Sequence, residues 1–208
     1  MRWFVVGIPC VCIMASCSGQ PEKGTQGADK KAVVESPPRP LLPPIPNPEY
    51  VNWSQFKPGT VVTRKAVTIS GGITVHGFEK STLIELNPES MVVERQKTTE
   101  RMDTGEKKVN EPARRTVMAQ FSPPESIKPE KFALPSLAAK FVRDEAVEIL
   151  GKKYQAKVYE WSESTDSEPL FITVWFSDEV PGRILKQNIT VKSNSLSTTD
   201  EIISIDLK

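Results

Sequence analysis

Side-chain chemistry needs groups that attack, shuttle protons or hold metals, and this chain of 208 residues has few: one histidine and three cysteines. His76 stands in Gly-Gly-Ile-Thr-Val-His-Gly-Phe. Without a second histidine there is no His pair to chelate a metal, and no Ser/His couple is marked by motif. One reading makes His76 a general base in a Gly-rich turn; the favoured one makes it a polar residue at a strand end, since no nucleophile or carboxylate motif accompanies it. Gly71-Gly72 lacks the Gly-Lys-Ser/Thr and the following helix of a phosphate loop, and Gly151-Lys152-Lys153 fails the same test. Asp144-Glu145 and Asp178-Glu179 are adjacent pairs, so on a strand their carboxylates point to opposite faces. Glycosidase chemistry instead needs two carboxylates across a cleft, about 5–9.5 Å apart. Trp53, Tyr159, Trp161 and Trp175 are candidates for stacking on a lipid or sugar, although aromatics more often fill a core or rim a sheet. No catalytic, cofactor-binding or metal-ligating residue is assigned.

The cysteines point elsewhere. Met1-Arg2 give a positive start, Trp3 to Met14 is a run of 12 residues, mostly apolar, and small Ala15-Ser16 lead directly into Cys17. A charged start, an apolar stretch of roughly 7–15 residues and small residues at a cleavage site make a secretory signal. The run is too short for a membrane span of about 20 residues. Met-Ala-Ser-Cys resembles a lipoprotein signal, which implies cleavage before Cys17 and a diacylglycerol on its thiol; Met14 stands where Leu is usual. Ser18, not Asp, follows the cysteine, which by resemblance to the enterobacterial sorting rule implies the outer membrane, facing the periplasm. Cys10 and Cys12 leave with the signal and lipid consumes Cys17, so no disulfide or thiolate site is expected. Loss of Arg2 takes Lys+Arg from 27 to 26, equal to the 26 Asp+Glu. A balanced chain carries no net field for nucleic acid, and none is expected as partner.

The elements that must position these residues divide the chain into a signal peptide (1–16), a tether (17–49) and one domain (50–208). The tether holds eight of the 18 prolines, with Gly, Gln and charged residues around them. It is expected to be disordered, with a reach of roughly 30 Å as a coil and about 100 Å when extended. The domain is long enough for a real core. Its periodicity is mostly two. Thr60–Thr68 is rich in β-branched residues, and Ser81–Asn87 and Met91–Thr98 flank a turn at Asn87-Pro88-Glu89-Ser90. Glu145–Leu150 and Lys153–Trp161 flank Gly151-Lys152, and Pro181-Gly182 precedes a long strand from Arg183 to Lys192. Leu170–Phe176 is apolar on both faces, which predicts a central strand covered on both sides. Thr99–Pro112 reads as a charged hairpin tip, Ser122–Pro135 as a wrapping or disordered connection, and Leu137–Val142 as a weak helix. The predicted fold is mainly β: a single antiparallel sheet of about nine strands, curved or half-barrel, with little helix.

Gly151-Lys152-Lys153-Tyr154 and Val174-Trp175-Phe176-Ser177-Asp178-Glu179-Val180-Pro181-Gly182 resemble a pattern of uncharacterised exported lipoproteins of planctomycete-type bacteria, over about 40 residues. The strand series is also loosely similar, in architecture alone, to the Lol-type lipoprotein carriers, which hold acyl chains in an apolar concavity. Together these imply a membrane-anchored envelope lipoprotein whose non-catalytic β domain binds a hydrophobic ligand or an envelope protein. The alternatives are a hydrolase of envelope polymer and a purely structural surface protein. A concave, unfilled apolar face would favour lipid, clustered carboxylates would favour hydrolysis, and a filled interior would favour interaction or structure.

Overall fold

The structure, a computed structural model, describes residues 42–165, 168–193 and 195–208. The signal peptide, Cys17 and most of the expected tether lie outside the described residues.

The described chain starts with β1 (Ile45–Pro46) and α1 (Pro48–Trp53). Three long strands follow where the period-two reading places strands, β2 (Val61–Ser70), β3 (Ile73–Leu86), which starts earlier than the Ser81 read from sequence, and β4 (Ser90–Arg101); short β5 (Lys107–Val109) lies within the stretch expected to be a hairpin tip. Then come β6 (Ala113–Met118), β7 (Gln120–Phe121), β8 (Lys140–Ile149), β9 (Lys152–Glu163), β10 (Leu170–Phe176), β11 (Ile184–Val191) and β12 (Leu196–Asp206). Ten strands form one open antiparallel sheet in the order β5-β4-β3-β2-β12-β11-β10-β9-β8, with β6 also on the outer side of β4. β1 and β7 pair separately. A mainly β fold built on one large antiparallel sheet, with little helix, is as the sequence predicts.

Turn chemistry sets the hairpins. Gly71 and Gly72 both have positive φ (55° and 80°), the two-residue turn whose twist matches the flanking strands. That accounts for the glycine pair without a phosphate. Leu150 (φ 55°) and Gly151 (φ 73°) do the same between β8 and β9, one residue earlier than the Gly151-Lys152 turn read from sequence. At Asn87 the side-chain oxygen accepts from the N–H groups of Glu89 (3.0 Å) and Ser90 (2.8 Å), closing the β3–β4 turn.

Three local expectations are corrected. The stretch 42–48, expected to belong to a disordered tether, is tied to the domain: the Leu42 N–H donates to Pro123 O, Ile45–Pro46 pairs with Phe121–Gln120, and Asn47 caps α1 by accepting from Glu49 N–H (3.0 Å). Proline suits this stretch because it lies at an edge and at the first turn of a helix, where a missing N–H costs nothing. Leu137–Val142 is not helical: Lys140–Val142 already belong to β8, and the helical pieces are α1 and a 3₁₀ turn at Pro129–Ala133. β10 is covered on both faces only toward its end: Trp175 is buried, but Phe171 is 46% exposed.

α1 fixes the curvature. Glu49 pairs with Arg95 of β4 (3.5 Å) and with Arg115 of β6. Three residues on, Asn52 bonds the β10–β11 loop at Asp178, Val180 and Gly182. A flat sheet would hold β4 and β10 roughly 24 Å apart at about 4.8 Å per strand, whereas a six-residue helix is only about 9 Å long. The sheet therefore curls around α1, and Trp53 enters a core with Val62, Leu83, Met91, Val93 and Leu185. The interior of the curl is filled by the protein's own side chains. A second cluster (Ala139, Tyr159, Ile172, Val174, Phe176, Ile189) lies under the 129–139 crossing, with Leu134 packed against it.

Candidate functional site

At the end of the sheet where β8 begins, β9 ends and β10 begins, a groove of about 850 Å³ opens. Strand register builds it. Phe141 stands opposite Tyr159, which stands opposite Val174. One step along, Trp161 is opposite Ile172 and Ile172 opposite Ile189. The alternate residues give the other face of the same strands: Lys140 opposite Glu160 opposite Thr173, and Ser162 opposite Phe171. The groove draws on both sets. Its apolar rim is open to solvent, with Phe141 54%, Val142 45% and Phe171 46% exposed. Phe141 and Phe171 belong to opposite faces, so the rim wraps the end of the sheet, and exposed large apolar side chains that cluster mark contact surfaces more often than isolated ones do.

The rim is held in place by its neighbours. Phe141 meets Tyr159 edge-to-face at 5.9 Å, and Tyr159 meets Phe176 in the same way at 5.9 Å. The Trp161 indole N–H donates to Glu163 Oε1 (2.9 Å), so the polar end of that ring is satisfied while its apolar body lines the groove. Lys140 and Glu160, directly opposed, balance the charge at one wall.

Of the four aromatics singled out from sequence, the register brings Tyr159 and Trp161 to one face beside the groove. Trp53 is core, 1% exposed. Trp175 lies on the reverse of β10, buried, its indole N–H donating to Glu145 Oε1 (3.0 Å) with Lys186 5.2 Å from the ring centre. Sequence patterning does not mark Phe141, Val142 and Phe171: the weak helical spacing over Leu137–Val142 masks the first two, and the two apolar faces of Leu170–Phe176 predict a covered Phe171. The alternation of β8 was faint because charged residues occupy both of its faces.

The remaining candidates are scattered. His76 is on β3 opposite Val67 and Glu100. Asp178 accepts from Arg183 Nε (2.6 Å), and Glu179 accepts from the Gln155 N–H (3.3 Å). Asp144 lies opposite Lys157, while Glu145 is held below the usual carboxylate range by the bond from Trp175 and then by those from Arg143. Among the described residues no group of three or more His, Cys, Asp or Glu is placed to hold a metal. Inside the curl, Arg64 Nε bonds both oxygens of Asp200 (3.2 Å each) and its Nη1 donates to Ile184 O. Burial raises the Asp200 pKa, and Arg64 opposes the rise. A second hollow, of about 390 Å³, lies between Val51, Gln55, Asp178 and Arg183. No helix of the described residues is long and apolar enough to cross a membrane.

No family model matches the chain, and no curated protein matches it. Solved structures overlap it weakly. One is a Bacteroides fragilis protein described as exported, with a YmcC-like fold: 12% identity, 73% of this chain and 97% of that one, TM-score 0.46. Another is described as a lipoprotein of Parabacteroides distasonis: 11% identity, 72% and 96% coverage, TM-score 0.45. A third is described as an outer membrane lipoprotein-sorting protein domain of Vibrio parahaemolyticus: 8% identity, 78% and 92% coverage, TM-score 0.26.

Proposed function

We propose that this chain is a lipid-anchored protein of the bacterial cell envelope, held through Cys17, whose β domain is a non-catalytic module that binds a hydrophobic ligand in the groove of Phe141, Val142, Trp161 and Phe171. The observation that carries the binding reading is that groove: an open, aromatic-rimmed hollow at the sheet's end, outside a curl already occupied by Trp53 and its neighbours. The ligand is thus met at the rim of the sheet and not in a hollow interior. Anchoring rests on the Ala15-Ser16-Cys17 junction after the apolar run. Two acyl chains or more would hold the domain stably, where one is marginal.

Binding is tested with a stearate carrying a doxyl quencher, titrated into the detergent-solubilised chain while tryptophan fluorescence is followed. Trp161 is the groove's tryptophan, so saturable quenching is expected in the parent chain, and Trp161→Phe should abolish most of it. Phe171→Asp places a charge on the rim and should weaken the apparent affinity at least about tenfold. Quenching that is unsaturable, or unchanged in both variants, would remove the groove as the site. For the anchor, Cys17→Ser should release the chain from the membrane fraction; a Cys17→Ser chain still processed at the same bond and still membrane-bound would refute it.

A further inference from the structure

Strand β8 ends the main sheet: β9 pairs with one side of it, and no described strand pairs with the other. A bare edge of ten residues is a template for a further strand. The edge sequence from 140 to 148, Lys-Phe-Val-Arg-Asp-Glu-Ala-Val-Glu, complements itself when reversed about Asp144. We infer that β8 pairs antiparallel with β8 of a second copy of this chain, on a two-fold axis at Asp144. The inference stands apart from the ligand reading of the groove.

Counting outward from the axis, Arg143 meets the second copy's Glu145 and Val142 its Ala146. Arg143 and Glu145 lie on the face of Val158 and Ala156, so opposite charges face each other on each side of the axis, with the apolar pair next to them. Arg143 already bonds its own Glu145 through Nε (2.9 Å) and Nη2 (2.6 Å), so the two residues share a face. A carboxylate has about four acceptor sites. Glu145 uses Oε1 for Trp175 and Oε2 for Arg143, which leaves capacity for the second guanidinium. Two copies thus close a ring of two arginines and two glutamates. On the other face Asp144 meets its own mate, which alone is unfavourable. Lys157 lies directly opposite Asp144 on β9, so each carboxylate of that row has an ammonium on its outer side.

Other registers fit worse. A shift of one residue in either direction opposes side chains from opposite faces of the pleat. A shift of two sets Glu145 against itself one way and Arg143 against itself the other. The β8–β9 register shifts between Phe141 and Arg143. That irregularity puts Phe141 on the face of Tyr159 but Val147 on that of Tyr154, and Lys140 on the face of Glu160 but Glu148 on that of Lys153, so the complementary pairing runs from Val142 to Ala146.

The test uses the full chain in detergent under mild oxidation, run on non-reducing gels against the parent chain as control for its native cysteines. Asp144→Cys puts two thiols face to face on the axis and should give a disulfide-linked dimer at least about tenfold more than Glu148→Cys, whose thiols lie apart. Light scattering supplies the second arm. Arg143→Glu should weaken self-association about tenfold, and the double variant Arg143→Glu/Glu145→Arg should recover it, since the swap restores both opposed pairs. A parent chain that stays monomeric at about 100 μM, or equal linking at 144 and 148, would overturn the inference.

Discussion

Asn52 makes three hydrogen bonds from one side chain that is 2% exposed: its Nδ2 donates to Asp178 O and Val180 O (3.1 Å each), and its Oδ1 accepts from the Gly182 N–H (2.8 Å). Asn52→Ala therefore unties α1 from the β10–β11 loop. The bond to Val180 O is fully buried, and losing it strands a carbonyl at about 2 kcal/mol; the other two are partly buried and lose about 1 kcal/mol each. The expected cost is about 4 kcal/mol, a fall in Tm of roughly 12 °C for a domain of this size. Urea unfolding followed by tryptophan fluorescence measures it. Asn52→Asp sharpens the test. It keeps an acceptor for Gly182 but aims a carboxylate at two carbonyls, which disfavours the charged form and raises the folded-state pKa. The stability of that variant is then present at low pH and lost as pH rises through the raised pKa. Its deficit against the parent should shrink on going from pH 7 to about pH 4. An alanine cost under about 1 kcal/mol, or an aspartate deficit equal at both pH values, would refute the role given to Asn52.

Other outcomes follow from the same geometry. Leu83, fully buried in the curl, should lose about 3–5 kcal/mol on replacement by alanine; a midpoint shift worth under about 1 kcal/mol would contradict a packed interior. Leu150, exposed and at φ 55°, pays for a left-handed conformation, so Leu150→Asn should stabilise the β8–β9 turn by about 0.5–1 kcal/mol in urea unfolding, and destabilisation would contradict the turn type. Arg64→Met leaves the burial of Asp200 unopposed and raises its folded pKa further. That variant should lose about 2–3 kcal/mol at neutral pH and recover part of it as pH falls; a penalty independent of pH would contradict the pairing.

The domain's fold was legible because its strands alternate and its turns are chemically marked: Asn87-Pro88, Gly151 and Pro181-Gly182 all sit at or within the turns between strands. Two things were not. The Pro-rich stretch before Tyr50 looked unable to order, because proline content reports a lack of donors and says nothing of an edge that needs none; β1 and α1 use that stretch. The groove was hidden because β8 carries charges on both faces and its Phe141-Val142 follow Leu137-Ala138-Ala139, a run with helical spacing. Aromatic content alone pointed to four residues, but strand parity, visible only once register is known, separates Trp161 from Trp175 and sends Trp53 into the core.

Native mass spectrometry of the full chain, extracted in detergent from bacterial membranes, weighs both halves of the proposed function at once. The expected spectrum shows a covalent lipid mass on the Cys17 N-terminal residue and a separate, dissociable lipid adduct that Phe171→Asp removes. A chain with no adduct under conditions that keep it folded, or an adduct that Phe171→Asp leaves unchanged, would contradict ligand binding at the end of the sheet.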